Sequence, residues 1–285
     1  MLVFSALVAG SFSLGGLVAR DMSPMALMAV RFVLGSGFVA AILVATGQAH
    51  TFRKLVVAPW RFVFLGSIFA GYFVLMFEGL KTASPVSLAA VFTLMPVLTA
   101  VTAWLILRQR TSAGMLLALL VGAAGALWVI FRADLNALLA FNLGRGEAVF
   151  FIGCILHAIY VPMLRRLNRG EGALPTTFGV ILGGAVLLVG LSWSELVAID
   201  WAGLPARVWV ALAYLVVFAT ASTFSLVQFA SMRLPGSKVM AYTYLTPSWV
   251  ILWELALGHD APPVLILWGV GLTLIALLML LRNDG

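Results

Sequence analysis

A repeated spacing of prolines is the feature that most restricts how this chain can fold. Pro24 and Pro96 in the first half recur as Pro175 and Pro247 in the second, at one ungapped shift of 151 positions. The same shift superposes apolar residues of the two halves, including Ala70 on Ala221, Phe73 on Phe224 and Leu75 on Leu226. A single offset that aligns both prolines indicates an internal duplication. We predict one copy in residues 1–133 and the other in residues 145–285.

The composition shows which solvent the two copies face. Hydrophobic residues make up 63% of the chain and charged residues only 9%, whereas soluble domains carry about 25% charged residues. Such a chain has to face lipid, and a helix needs about 20 apolar residues to cross a bilayer. We therefore predict an all-α membrane protein with ten transmembrane helices. The ten apolar segments are residues 2–19, 24–46, 60–80, 84–107, 112–131, 146–165, 174–193, 206–231, 238–257 and 262–281.

The loop charges predict the orientation of these spans. Basic residues collect in cytoplasmic loops, and a cytoplasmic N-terminus places eleven of them inside and five outside. The inner set is Arg53, Lys54, Arg61, Arg108, Arg110, Arg165, Arg166, Arg169, Arg233, Lys238 and Arg282, and the outer set is Arg20, Lys81, Arg132, Arg145 and Arg207. Both termini are then cytoplasmic. Because each copy has five spans, the second copy is inverted, and many secondary transporters are built from such inverted repeats.

Several functional classes are not expected. The net charge of +7 resides in short loops, where it sets membrane topology rather than binding nucleic acid. The single cysteine, Cys154, allows neither an intramolecular disulfide nor a CxxC metal site. No Walker A motif is present, so ATP is not the expected energy source. We predict neither a cofactor nor a metal.

An integral-membrane enzyme that acts on lipid is the alternative to a transporter, but the chain has no catalytic pattern of acids and histidines. The apolar run that begins at Leu2 is expected to be a span, and whether a leader precedes Met1 stays open.

Short motifs in both copies resemble those of a known family. They are Ser23-Pro24 followed by Arg31-Phe32, the run from Lys81 to Ser87, Leu94-Met95-Pro96-Val97, Leu234-Pro235-Gly236-Ser237 and Leu245-Thr246-Pro247. Over nearly its whole length the chain resembles the EamA family of the drug/metabolite transporter superfamily. Its size and aromatic content are similar to those of the YddG-type exporters of aromatic amino acids in bacteria.

The resemblance implies a transporter of small organic metabolites in the inner (plasma) membrane of a bacterium, working by alternating access. Export of amino acids with aromatic and other neutral side chains is the expected function. An uncoupled facilitator of other neutral metabolites is the alternative. The expected partners are a small-molecule substrate and the lipid bilayer, and a monomer is the expected state.

The candidate binding residues are polar or aromatic side chains near the middle of a span. The site of such a transporter lies near the midplane, between the repeats, and polar groups there are unfavourable unless paired or used. The candidates are His157, Gln228, Tyr244, Ser222, Ser225, Tyr160, Met76, Phe92 and Tyr242. Hydrogen bonding to its own helix is the alternative for each serine, and neutral packing is the alternative for His157.

Two prolines and one arginine complete the set of candidates. Pro96 and Pro247 each remove a backbone donor inside a span, so both helices can bend at matching depth and act as gates. Arg31 lies inside the second span, and the repeat places Leu182 at its equivalent position. Three roles stay open for Arg31: an ion pair with a loop acid, hydrogen bonds to free helix-end carbonyls, or binding of a substrate carboxylate.

Overall fold

All regular structure in the described part of the chain is helical. The computed structural model describes residues 1–110, 112–131, 134, 136, 143–234 and 236–282, without the side chains of Lys54, Ala221, Phe224, Gln228, Ser231 and Ser237. Its ten long helical segments are α1 Leu2–Val18, α2 Pro24–Ala45, α3 Trp60–Leu80, α4 Pro85–Leu107, α5 Ala113–Ile130, α6 Arg145–Leu167, α7 Ala173–Ala198, α8 206–231, α9 236–256 and α10 Val264–Arg282.

Eight of these segments are long and apolar enough to cross a membrane. The other two are α1, which is apolar but has 17 residues, and α9, which a 3₁₀ turn interrupts. The short stretches Ala49–Thr51 and Phe52–Leu55 connect α2 to α3. Each segment coincides with one of the ten apolar runs in the sequence, since the length of an apolar run determines where a helix can meet lipid.

Serine and proline fix where several helices begin. The Ser23 hydroxyl accepts a hydrogen bond from the backbone N–H of Ala26 at 3.2 Å, and Ser84 accepts one from Ser87 at 3.2 Å. Each caps a helix whose first residue is proline. The cap satisfies a backbone donor that has no partner within the helix, and proline has no such donor at that position. The helices begin at Pro24 and Pro85, in agreement with the predicted spans that begin at residues 24 and 84.

Four of the described segments are irregular inside. In α7, Ser192 departs from helical geometry (φ −105°, ψ 15°) and marks a kink. In α4, the helix Pro85–Phe92 ends one turn before Pro96 and resumes as Met95–Leu107. In α9, the 3₁₀ turn Tyr242–Leu245 comes directly before the helix that contains Pro247. In α8, a π-helical stretch, Val217–Ser222, separates two α-helical parts. The interruptions of α4 and α9 therefore occur at the two prolines that the repeat relates.

Helices of one half pack mainly against helices of the other. The pairs include α5 with α10, α2 with α7, α3 with α6 and α7, and α4 with α6 and α9, while α1 contacts α8 and α9. Glycines permit the closest crossings. A Cβ atom added to Gly125 in α5 would lie 2.6 Å from the carbonyl oxygen of Gly269 in α10, and one on Gly146 would lie 2.6 Å from that of Gly79. Only glycine allows backbones to approach this closely in a lipid-embedded bundle.

The outer surface of the bundle carries large apolar side chains. Val186, Trp268 and Leu278 are 63%, 73% and 60% exposed, respectively, and many other aliphatic residues are similar. Apolar surface of this extent on a protein of this size is expected to face lipid rather than water. The interior of the bundle, by contrast, contains several buried polar and charged side chains.

Candidate functional site

A narrow cavity lies between the two halves at the centre of the bundle. Among the described residues, five helices line it: α1 with Phe4, Val8 and Ser11; α3 with Phe69, Tyr72, Phe73 and Met76; α4 with Phe92; α6 with His157 and Tyr160; and α8 with Ala219, Thr223 and Val227. Its volume is about 30 Å³, whereas pockets for organic ligands usually have several hundred Å³. Space for a substrate therefore has to come from movement of the lining rings.

The cavity wall is a continuous set of aromatic rings. The ring centre of His157 lies 4.7 Å from that of Tyr72 and 5.4 Å from that of Phe69. Phe69 in turn lies 4.9 Å from Tyr160, and Tyr72 lies 6.1 Å from Phe92. Tilted aromatic pairs at these separations attract one another beyond their apolar contact. This cavity can hold a flat apolar group between rings.

His157 is the polar feature of this aromatic wall. Its side chain is 4% exposed, and its Nδ1 atom has no hydrogen-bond partner among the described residues. A buried polar atom without a partner lowers stability by about 1–3 kcal/mol. That nitrogen is therefore available to a polar group of a molecule that enters the cavity.

Four of the nine predicted binding residues lie in the lining. They are His157, Tyr160, Met76 and Phe92. The side chain of Gln228 lies outside the described residues, although the neighbouring Val227 lines the cavity.

The other four predicted residues lie outside the lining. The Ser222 hydroxyl donates to the carbonyl oxygen of Val217 at 3.1 Å, so it bonds to its own helix. Ser225 and Tyr242 are half-buried, and the ring of Tyr244 packs directly against Gly122 in α5. The described residues of α8 that line the cavity are instead Ala219, Thr223 and Val227. Their spacing of four residues places them on one face of the helix, and Ser222 and Ser225 lie off that face.

Sequence reasoning missed the aromatic face of α3. Phe69, Tyr72 and Phe73 line the cavity together with Met76. Their spacing of three, four and seven residues places them on one side of a helix. This signal was present in the sequence, but a strongly apolar span offers many alternative faces. No pattern in the sequence indicated that residues of α1 would line the cavity.

Arg31 is fully buried next to this wall. Its Nε donates to the Thr220 hydroxyl at 2.7 Å, and its Nη2 donates to the carbonyl oxygen of Ala219 at 3.1 Å. The guanidinium carbon lies 3.9 Å from the centre of the Phe73 ring. Of the three roles left open for Arg31, the structure therefore realises hydrogen bonding to a carbonyl. That carbonyl belongs to the π-helical stretch of α8 rather than to a helix end.

Polar contacts between the two halves close both ends of the bundle. At one end, Arg61 donates to Glu171 at 2.7 Å and to the carbonyl oxygen of Leu167 at 2.6 Å, and both charged side chains are buried. At the other end, Arg207 donates to both carboxylate oxygens of Asp21 at 2.7 Å. Ser23 also donates to Glu195 there. Each end is thus held by groups from opposite halves.

The arginine partners lower the pKa values of both carboxyl groups. Burial raises the pKa of Glu171, but hydrogen bonds from Arg61 and from backbone N–H groups outweigh it, so the pKa lies below its ordinary value of 4.5. The hydrogen bond from Arg207 lowers the pKa of Asp21. Both carboxylates are charged at neutral pH. The described residues contain no group of three or more His, Cys, Asp or Glu side chains that could hold a metal ion.

We expect the substitution Glu171→Gln to destabilise the protein in a pH-dependent way. It leaves the Arg61 charge buried without a counter-ion, which should lower the free energy of unfolding by about 3 kcal/mol near neutral pH. Because the pKa of Glu171 is lowered in the folded state, the stabilisation is complete above pH 4.5. It is lost as the pH falls through the lowered value. Melting temperatures of both proteins in detergent, measured from pH 7 downwards, should therefore converge in acid.

Glu78→Gln provides the matched control. Glu78 pairs with Lys81 at 2.7 Å, but both side chains are about one-third exposed or more, so the change should be below about 1 kcal/mol. Equal effects of the two substitutions, or a difference for Glu171→Gln that persists at low pH, would contradict a buried ionic contact at this end.

Comparison with known proteins adds the family. Two stretches, residues 1–131 and 144–282, match the EamA-like transporter family. The chain is similar to the "Uncharacterized transporter YyaM" of Bacillus subtilis (strain 168), with 26% identity over 280 residues that cover 97% of this chain and 90% of the relative. It also superposes on a solved structure, described only as a crystal structure of a protein, with a TM-score of 0.73 and 19% identity. That match covers 98% of this chain and 94% of the other and shows the fold alone.

Proposed function

Because this chain belongs to the EamA-like transporter family, we propose that it exports amino acids with aromatic and other neutral side chains across the plasma membrane of a bacterium. The observation that carries this proposal is the central cavity, where the unpartnered Nδ1 of His157 lies among aromatic rings. The rings suit a flat apolar side chain, and the imidazole suits the polar end of an amino acid. A charged side chain would lose its hydration in this wall without a partner.

Alternating access would follow from the position of the cavity between the halves. Parting of Arg61 from Glu171 would open one end, and parting of Asp21 from Arg207 the other. The interruptions of α4 and α9 before Pro96 and Pro247 support a gating role, since a helix already broken at a proline can bend there with little further loss of hydrogen bonds. The substrate would then reach the cavity from one side at a time.

The proposed topology has ten spans in two inverted units, residues 1–133 and 145–285, with both termini in the cytoplasm. The loop charges support this orientation. Packing of each half against the other supports a monomer as the working unit, because the cavity is complete within one chain.

Cysteine labelling tests this topology. Cysteines placed at Gln48 and at Asn168 should react in cells only with reagents that enter the cytoplasm, and a cysteine at Asn136 should react with an impermeant reagent. The native Cys154 is fully buried and should give little background. Reaction of the Asn168 position with the impermeant reagent would contradict the inverted arrangement.

Transport by the purified protein in liposomes tests the function. Labelled phenylalanine, methionine and threonine should exchange faster than glutamate or lysine. His157→Phe keeps a ring in the wall but removes the nitrogen, so phenylalanine exchange should fall about tenfold, the effect of losing one hydrogen bond to a charged group. Leu278→Ala on the lipid-facing surface is the control and should leave the rate unchanged.

Two further outcomes of this assay are decisive. Exchange of sugars without exchange of any amino acid would contradict the substrate assignment, and an unchanged rate in His157→Phe would contradict the site.

Repeating the assay with and without a proton gradient separates a coupled exporter from an uncoupled facilitator, because only the coupled protein accumulates substrate against its own gradient.

A further inference from the structure

We propose that Arg31 provides a fixed positive charge behind the wall of the central cavity, so that the transporter accepts substrates that carry a carboxylate and excludes organic cations. This inference rests on the proposed transport through that cavity and narrows its substrate class.

The first observation is that Arg31 is a buried charge without a counter-ion. Its side chain is 0% exposed in the middle of α2. Within the described residues, the ion pairs found are Arg61–Glu171, Lys81–Glu78, Arg207–Asp21 and His259–Glu254, and none involves Arg31. An ionised group inside a membrane protein is expensive to bury and marks a functional position by default.

The second observation is that hydrogen bonds hold Arg31 in place while some of its guanidinium N–H groups remain unused. The Thr220 hydroxyl accepts from Nε and the Ala219 carbonyl from Nη2, and Nη1 has a long contact of 3.7 Å to the sulfur of Met28. A guanidinium has five N–H groups, so two remain. The π-helical stretch of α8 contains both Thr220 and Ala219, which fixes the position of the charge relative to the cavity.

The third observation is the position of this charge next to the cavity. Phe73 and Ala219 both contact Arg31 and both line the cavity. The guanidinium therefore lies directly behind residues of the cavity wall, and none of the described lining residues is an acid or a base other than His157. In surroundings of low dielectric constant, a charge acts strongly over this separation.

These observations favour one orientation of an amino acid. Its carboxylate would lie towards Arg31, and its ammonium would lie over the rings of Phe69 and Tyr72, which attract cations through their faces. An amine without a carboxylate would keep the attraction of the rings but would be repelled by Arg31. An acid without an amine would lose only the weaker attraction of the rings.

Binding of three matched compounds tests the inference. Phenylalanine, 3-phenylpropionate and phenethylamine share a ring and differ only in their charged groups. Thermal stabilisation of the purified protein gives a dissociation constant for each compound without requiring transport. For the unmodified protein, we expect 3-phenylpropionate to bind about tenfold more tightly than phenethylamine, since about 1.4 kcal/mol corresponds to a factor of ten.

Three substitutions assign the effect to Arg31. Arg31→Gln should remove the preference by weakening 3-phenylpropionate about tenfold while phenethylamine binds equally well or better. Arg31→Lys keeps the charge and should keep the preference. Arg110→Gln removes an exposed loop charge far from the cavity and should leave the preference as it is. If Arg31→Gln does not fold, the unmodified protein and Arg31→Lys still test the inference, because equal binding of 3-phenylpropionate and phenethylamine to either protein would contradict it.

The inference fails if phenethylamine binds as well as 3-phenylpropionate to the unmodified protein, if no anionic compound binds, or if Arg31→Gln weakens all three compounds equally. Hexanoate and hexylamine form a second pair without a ring. If the acid is preferred in both pairs and the preference disappears in Arg31→Gln, the role of Arg31 stands even when no amino acid is transported in liposomes. The amino-acid proposal alone would then be wrong.

Discussion

The hydrogen bonds between Arg31 and the π-helical stretch of α8 are the interaction on which the centre of this molecule depends. Lipid offers no partner for a polar group, so a buried donor or acceptor that is not satisfied within the protein costs free energy. Arg31 comes from the first half, and Thr220 and Ala219 come from the second. Their contact joins the halves at the cavity wall.

The rest of the architecture surrounds this contact. Glycine crossings bring helices of the two halves together, and aromatic rings of α3, α4 and α6 fill the space between them. The ionic contacts that close the bundle at either end also join opposite halves. Because the Arg61–Glu171 and Arg207–Asp21 pairs both cross the interface between the halves, the molecule can change shape by exchanging these contacts while each half keeps its own helices intact. Such an arrangement is suited to moving a substrate through the interface.

The helices could be predicted from the sequence, whereas much of the site could not. The length of each apolar run indicates where a helix lies, and the motifs Ser23-Pro24 and Ser84-Pro85 indicate where two helices begin. Both signals are local, so they can be read from the sequence. The π-helical stretch carries no comparable local signal, and nothing in the sequence indicated that Thr223 rather than Ser222 would line the cavity. Tyr244 lies against Gly122 because α5 and α9 happen to meet there, which neither helix specifies alone. His157 was predictable because polar residues in the middle of an apolar span are few.

We propose that the cavity opens to one side at a time by movement between the halves. Distances between paired spin labels report this movement, with one pair at Val57 and Arg169 near the Arg61–Glu171 contact and another at Thr82 and Ala202 near the opposite end. With phenylalanine added to protein in lipid, we expect one distance to lengthen as the other shortens, by several ångströms. Simultaneous lengthening of both distances, or no response of either, would contradict it.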